Sequence, residues 1–287
     1  MSEFNAQQAN PLSKYFRQPK LHITLPSGGK FYPEGAIEIT ETGEFPVYSM
    51  TAKDELTLKT PDALLNGQAT VEVIKSCIPS IKDPWQMPSI DLDALLIAIR
   101  LATYGDSMTL VIKTPVTGEE KQMQIDLRTL LDNFSNLQFN DTVQLPEMTV
   151  KLRPLSYKEF TKNALKTFEQ QRIFNIVNDD KISDEDKLQA FTNSFAKLTE
   201  LTVDMMSNHI SSIQLGEEVV DNHKHIDEFM RNADKSFYSH IQEHINSERE
   251  KFAIKPLIAE ATPEEIEQGV PATYEVPVTF DQSNFFG

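Results

Sequence analysis

The segment 91–104 constrains the fold more than any other stretch of this chain. Drawn as a helix, it places Leu92, Leu95, Leu96, Ile97, Ile99 and Leu101 around most of its circumference. Asp91 and Asp93 stand at its positive end, and Gly105 lies just past its stop. A helix that is apolar on nearly every side belongs in the middle of a fold. It is too short to span a bilayer, and it carries Arg100. The rest of the chain must therefore supply apolar cover from several directions.

The flanking segments are suited to that. Residues 21–50 hold short apolar alternations, among them Leu21, Ile23 and Leu25, then 36–39. Pro26, Gly28, Gly29, Pro33, Gly35 and Gly43 interrupt them, which predicts short strands joined by turns. From Ala52 the pattern turns helical. Thr60-Pro61-Asp62 is suited to opening one short helix, and Thr70 begins another that Pro79 stops. Pro84, Trp85, Pro88 and Ser89 form a stiff connector into the apolar helix, where Trp85, the only tryptophan, is expected in a core role. Residues 108–113 and 122–127 read as a β-hairpin closed by Thr114-Pro115-Val116-Thr117-Gly118. Residues 142–145 and 148–152 form a second hairpin or extend the first.

After residue 153 the chain reads as helical. Tyr157, Phe160, Ala164, Leu165 and Phe168 mark one amphipathic helix. Ser183 and Asp186 resemble a capping box that opens the next, which carries Phe191, Phe195, Leu198, Thr202, Met205, His209 and Ile213 on one face. A third stripe runs through Ile226, Phe229, Met230, Ala233, Phe237, Ile241 and Ile245. Such helices pack a core among themselves or present stripes to partners. The reading is α+β: a flexible N-terminal arm over 1–20, a small mixed module with short strands and the buried helix over 21–153, a helical region over 154–250, and an extended acidic tail over 251–287. The tail carries Glu260, Glu264, Glu265, Glu267, Glu275 and Asp281 with no cation beyond Lys255. Its aromatic side chains Tyr274, Phe280, Phe285 and Phe286 are the candidate partner contacts.

No enzyme motif emerges. Gly28-Gly29-Lys30 is followed by Phe31-Tyr32-Pro33, and proline blocks the helix that a phosphate loop needs, so a tight turn is expected. His240 and His244 are four apart but lack the glutamate of a zinc-protease helix; together with His209, His223 and His225 they read as packing or surface residues. The acidic run 179–186 lacks the alternating ligands and central glycine of a calcium loop. Cys77 sits in an apolar segment as a buried thiol, and a single cysteine makes no intrachain disulfide. With 27 basic against 43 acidic side chains the net charge is −16, which repels phosphate and disfavours nucleic acid and anionic membranes. The expectation is no catalytic residue, no cofactor and no metal. Residues 1–10 lack the apolar core of a signal peptide.

Several motifs recur in a fixed order: Leu25-Pro26-Ser27-Gly28-Gly29-Lys30-Phe31-Tyr32, then 47–55, then Leu64-Leu65-Asn66-Gly67, then 77–84, then 91–105. Over residues 21–150 this order resembles the T-even-type phage baseplate hub family. The resemblance implies a small acidic tail protein acting in construction of the central hub of a contractile phage tail and leaves open whether it stays in the particle; the reading taken is a structural component located in the virion and assembled in the host cytoplasm. It implies protein–protein assembly with other hub and tail proteins, with a tape-measure segment and a homo-oligomer as further associations, and no insertion into a membrane. A transient assembly chaperone is the alternative, and a tail-associated hydrolase a more distant one. Some relatives carry a C-P-x-C-G knuckle at the hairpin turn. Here threonines stand at both thiolate positions, so the turn is expected to hold without metal.

Overall fold

The computed structural model describes residues 11–60, 67–177 and 183–278. After a short 3-10 turn at Pro11–Tyr15, strand β1 (Pro19–Thr24) pairs antiparallel with β2 (Glu44–Tyr48), so the expected arm ends before residue 20. Helix α1 (Ala52–Leu58) is opened by a capping box between Thr51 and Asp54. The helix expected at Pro61, with Leu64, Leu65 and Asn66, lies outside the described residues. Helix α2 (Gln68–Cys77) follows Gly67, whose φ of 79° suits glycine. A Cβ there would stand 3.0 Å from the Tyr157 hydroxyl and 3.2 Å from Thr161, so glycine also permits the close approach.

Helix α3 (Leu92–Tyr104) is the centre that its sequence demands. Leu95, Ile97, Ala98 and Ile99 are fully buried. Around them pack Phe45 and Val47 from β2, Val73 and Ile74 from α2, and Leu127 and Leu130 from α4 (Leu127–Asp132). Trp85 stacks on Tyr157 with ring centres 5.6 Å apart, which bears out its expected packing role. Of residues 36–39, only Ile37 makes a β-bridge, to Ile81.

Strands β3 (Ser107–Lys113) and β4 (Glu120–Asp126) form the expected hairpin. Strands β5 (Thr142–Leu145) and β6 (Met148–Leu152) form the second. Helix α5 (Tyr157–Val177) and helix α6 (Asp184–His209) then run as a long antiparallel pair. The Ser183 hydroxyl accepts from the Asp186 amide, as the capping pattern predicts.

The second half departs from an all-helical region. The helix expected to continue through Ile213 stops at His209, and β7 (Ile210–Leu215) pairs with β6 on one side and β8 (Glu218–Val220) on the other. The result is a four-stranded antiparallel sheet in the order β5-β6-β7-β8. Val150, Leu152, Ile210 and Ile213 on its inner face pack against Ile226 and Met230 of α7 (His223–Asn232) and Ile241 and Ile245 of α8 (Lys235–Phe252). The third stripe is thus two helices. They divide at Ala233, and Asp234 caps the second by accepting from the Phe237 amide.

The tail carries its own elements. Strands β9 (Leu257–Glu260) and β10 (Thr273–Val276) pair around the short helix α9 (Pro263–Glu267). They cover the hairpin β3–β4, with Ile112, Ala259 and Val276 buried between them. Glu265 caps α9, receives Lys121 Nζ at 3.1 Å and accepts from the Thr114 hydroxyl at 3.3 Å. Thr114, one of the two knuckle positions, is therefore buried under the tail. Glu265→Ala is expected to speed amide hydrogen exchange in β9 and β10 while α3 keeps its protection.

Candidate assembly interface

The glycine motif that stands out in the sequence closes on the start of α3. The Ser27 amide and hydroxyl donate to the two oxygens of Asp91, each at 2.7 Å, and the Tyr32 hydroxyl donates at 3.0 Å. Gly28 and Gly29, at φ of 64° and 77°, let the chain turn tightly enough to bring both ends of the motif to one carboxylate. Asp91 is fully buried, and burial raises its pKa to about 6 against the opposing hydrogen bonds from Ser27 and Tyr32. Burial, and then the Asp91 charge, pushes the Tyr32 phenol upward as well. This node faces no solvent, so it fixes the fold and leaves contact with partners to other surfaces.

A second node ties down the N-terminal segment. The Arg17 guanidinium donates to the backbone oxygens of Ser49 and Ser76 and, at 2.8 Å, to the Ser76 hydroxyl. It stands 3.5 Å from Asp54, the residue that caps α1. Leu12, Tyr15 and Phe16, just ahead of Arg17, are all more than half exposed. Arg17 Nη1 also lies 3.8 Å from Cys77 Sγ. Burial lifts the Cys77 thiol to about 12, with Asp54 adding to the rise and Arg17 opposing it. The native protein is expected to resist thiol reagents at pH 8 and to react with one equivalent on unfolding, as ultraviolet-monitored titration would show.

Among the described residues, several exposed large apolar side chains gather on the α5–α6 hairpin. On α6, Leu188, Phe191, Phe195, Leu198, Met205 and His209 follow a three-and-four spacing that puts them on one face. On α5, Phe160, Ala164 and Phe168 recur every fourth residue. The two stripes meet at the hairpin's base in a groove of about 540 Å³, lined by Phe160, Met205 and His209 with Phe139, Ile245 and Phe252. Towards the tip the face opens. Phe168 is 55 %, Phe195 62 % and Leu188 67 % exposed. The bond from the Ser194 hydroxyl to the Gln170 carbonyl places Phe168 and Phe195 at one level of the antiparallel pair. Polar groups lie in the seam between the helices, and Leu201 of α6 is buried as well. Asn163 and Ser194 are buried there, and Asn163 Nδ2 and Gln170 Oε1 are buried without a hydrogen-bond partner. Among the described residues, the large apolar groups at the tip thus face outward while the polar Asn163 and Ser194 face inward.

At the base, Arg153 forks onto Glu159 with two bonds of 2.9 and 2.7 Å. Burial alone would raise the Glu159 pKa, but Arg153 and the Ser156 amide and hydroxyl outweigh it and hold it at about 2. His209 donates from Nδ1 to the Arg153 carbonyl, and burial lowers its pKa. His240 donates to the Ser236 carbonyl, His244 to the Asn140 carbonyl, and His223 bonds Asn208. His209 is buried, His244 half-buried, and His223, His225 and His240 exposed, placements of the packing or surface kind expected for them. Among the described residues no group of three or more His, Cys, Asp or Glu is placed to hold a metal ion, and no helix is long and apolar enough to cross a membrane.

Of the four aromatic candidates in the tail, Tyr274 is half-buried on β10, where it packs with Met123 and lies under Lys121 Nζ, 5.1 Å from its ring centre. Phe280, Phe285 and Phe286 lie outside the described residues. The outward face of the hairpin was not assigned as a site from the sequence. Its residues were legible as a stripe, but nothing local tells an inward stripe from an outward one.

Three two-stranded sheets, one four-stranded sheet, a central buried helix and a long helical hairpin with exposed apolar side chains make up an α+β subunit. The family model of the T4 bacteriophage base plate protein matches residues 5–255, and the chain belongs to that family. The match runs through the second half as well, beyond the 21–150 over which the sequence motifs carried the resemblance. No curated protein and no solved structure matches the chain.

Proposed function

We propose that this baseplate protein is a structural subunit of the central hub region of a contractile tail, retained in the mature virion and acting by protein–protein contact. The observation that carries the reading is the apolar face of α5–α6, which runs from the basal groove to the hairpin tip. Its partners are other hub and tail proteins, with the tape-measure protein among them, and assembly takes place in the host cytoplasm. Phe280, Phe285 and Phe286 serve in this reading as further contacts, beside the exposed Leu12, Tyr15 and Phe16. The protein needs no cofactor and performs no catalysis in this role.

Quantitative mass spectrometry of purified, mature tails tests the proposal. A fixed small-integer copy number per particle is the expected result. Peptides abundant in infected-cell extract but absent from mature tails would instead make the chain a transient assembly chaperone.

A further inference from the structure

We propose that the apolar face of the α5–α6 hairpin docks the same face of a second copy of this chain, closing a four-helix bundle about a two-fold axis. This goes beyond the baseplate role and names what covers the hairpin. An antiparallel helix pair with one uncovered apolar face is half of such a bundle, and a two-fold axis makes one face its own complement.

The area suffices. Phe160, Phe168, Leu188, Phe191 and Phe195 are each between 41 and 67 % exposed. At the size of aromatic side chains they leave roughly 500 Å² of apolar surface per copy, or about 1,000 Å² for a pair, which reaches the size of a specific interface before any neighbouring residue is counted.

The charge pattern points to a second copy. The whole chain carries −16, so two copies repel over most of their surface. The hairpin helices are the exception. Helix α5 has Lys158, Lys162, Lys166 and Arg172 against Glu159 and Glu169. Helix α6 has Asp184, Glu185, Asp186, Glu200 and Asp204 against Lys187 and Lys197. One is net basic, the other net acidic, and together they are nearly neutral. An axis parallel to the helices sets α5 of one copy against α6 of the other with every neighbour antiparallel, at the part of the surface where like charge repels least.

Sedimentation velocity of the full chain over a concentration series tests this. The expected result is a monomer–dimer equilibrium that tightens as salt screens the shared negative charge. The double variant Phe168→Glu with Phe195→Glu is expected to stay monomeric with unchanged helical circular dichroism. Disulfide trapping gives a second reading, since the only native thiol, Cys77, is buried. Phe168→Cys or Phe195→Cys is expected to cross-link two copies, and Lys162→Cys on the outer side of α5 is not. If the double variant loses its helical signal, the trapping result decides. A wild-type chain that is monomeric throughout and traps nothing overturns the proposal, as does a dimer indifferent to the double substitution. If such a monomeric chain is nevertheless found in mature tails, the baseplate role stands and only self-pairing fails.

Discussion

Asp91→Ala lowers the unfolding free energy by about 2–4 kcal/mol at pH 5, measured by denaturant titration. The substitution leaves the Ser27 amide, the Ser27 hydroxyl and the Tyr32 hydroxyl facing an empty site at the start of α3. It also releases the turn that covers that helix. The loss is expected to be smaller at pH 7. The folded pKa of Asp91 is raised from 3.8 to about 6, so over that interval the native state holds a proton that the unfolded state has released. The wild type therefore gains stability as pH falls from 7 towards 4, and the alanine variant lacks that gain. Integrating the two titrations gives a difference of about 1–1.5 kcal/mol between pH 7 and pH 5, on the order expected for one shifted group. Glu159, held at about 2, contributes the opposite trend: its stability is present above the ordinary glutamate range and is lost as pH falls through about 2. Both proteins share that contribution, so it cancels from their difference. A loss that grew as pH rose from 5 to 7 would contradict the burial of Asp91.

Ile97→Ala costs about 3–4 kcal/mol by the same measurement. Ile97 is fully buried in α3, within the cluster that joins β2, α2 and α4. Removing its outer carbons leaves a cavity that side chains fixed on several elements cannot fill without strain. The comparison is Leu215→Ala on β7, 42 % exposed, which is expected to change stability by less than about 0.5 kcal/mol. Equal effects at the two positions would mean that α3 is not the centre of the fold.

The position of α3 was legible because a helix apolar on nearly all sides leaves one place to put it. The Gly28-Gly29 turn was legible from its glycines. The acceptor at Asp91 was not, because 64 residues separate Ser27 from it and an aspartate at a helix start ordinarily serves the helix end. The error at Ile213 has a similar cause. The step from His209 to Ile213 continues the helical period, while the partner that makes Ile213 a strand residue is Val150, far upstream. Short strands such as β9 and β10 are fixed by what they cover, the β3–β4 hairpin more than a hundred residues earlier, and the acidic composition of the tail conceals this. The stripe through Phe195 was read correctly as one face of a helix. Its outward direction is a property of the whole arrangement, because α7, α8 and the Val203–Met206 side of α6 take the positions around the β6–β7 sheet and leave Phe195 on the far side.

In the proposed role this chain works in the baseplate through the apolar face of its helical hairpin. Complementation tests it most directly, by supplying a phage that lacks the gene with Phe168→Ser and Phe195→Ser together and scoring mature contractile tails by electron microscopy. Both side chains are more than half exposed, so the purified variant is expected to keep the wild-type unfolding midpoint. A soluble, folded protein and no mature tails are expected. Tails at wild-type yield from that same folded variant would contradict the proposed role.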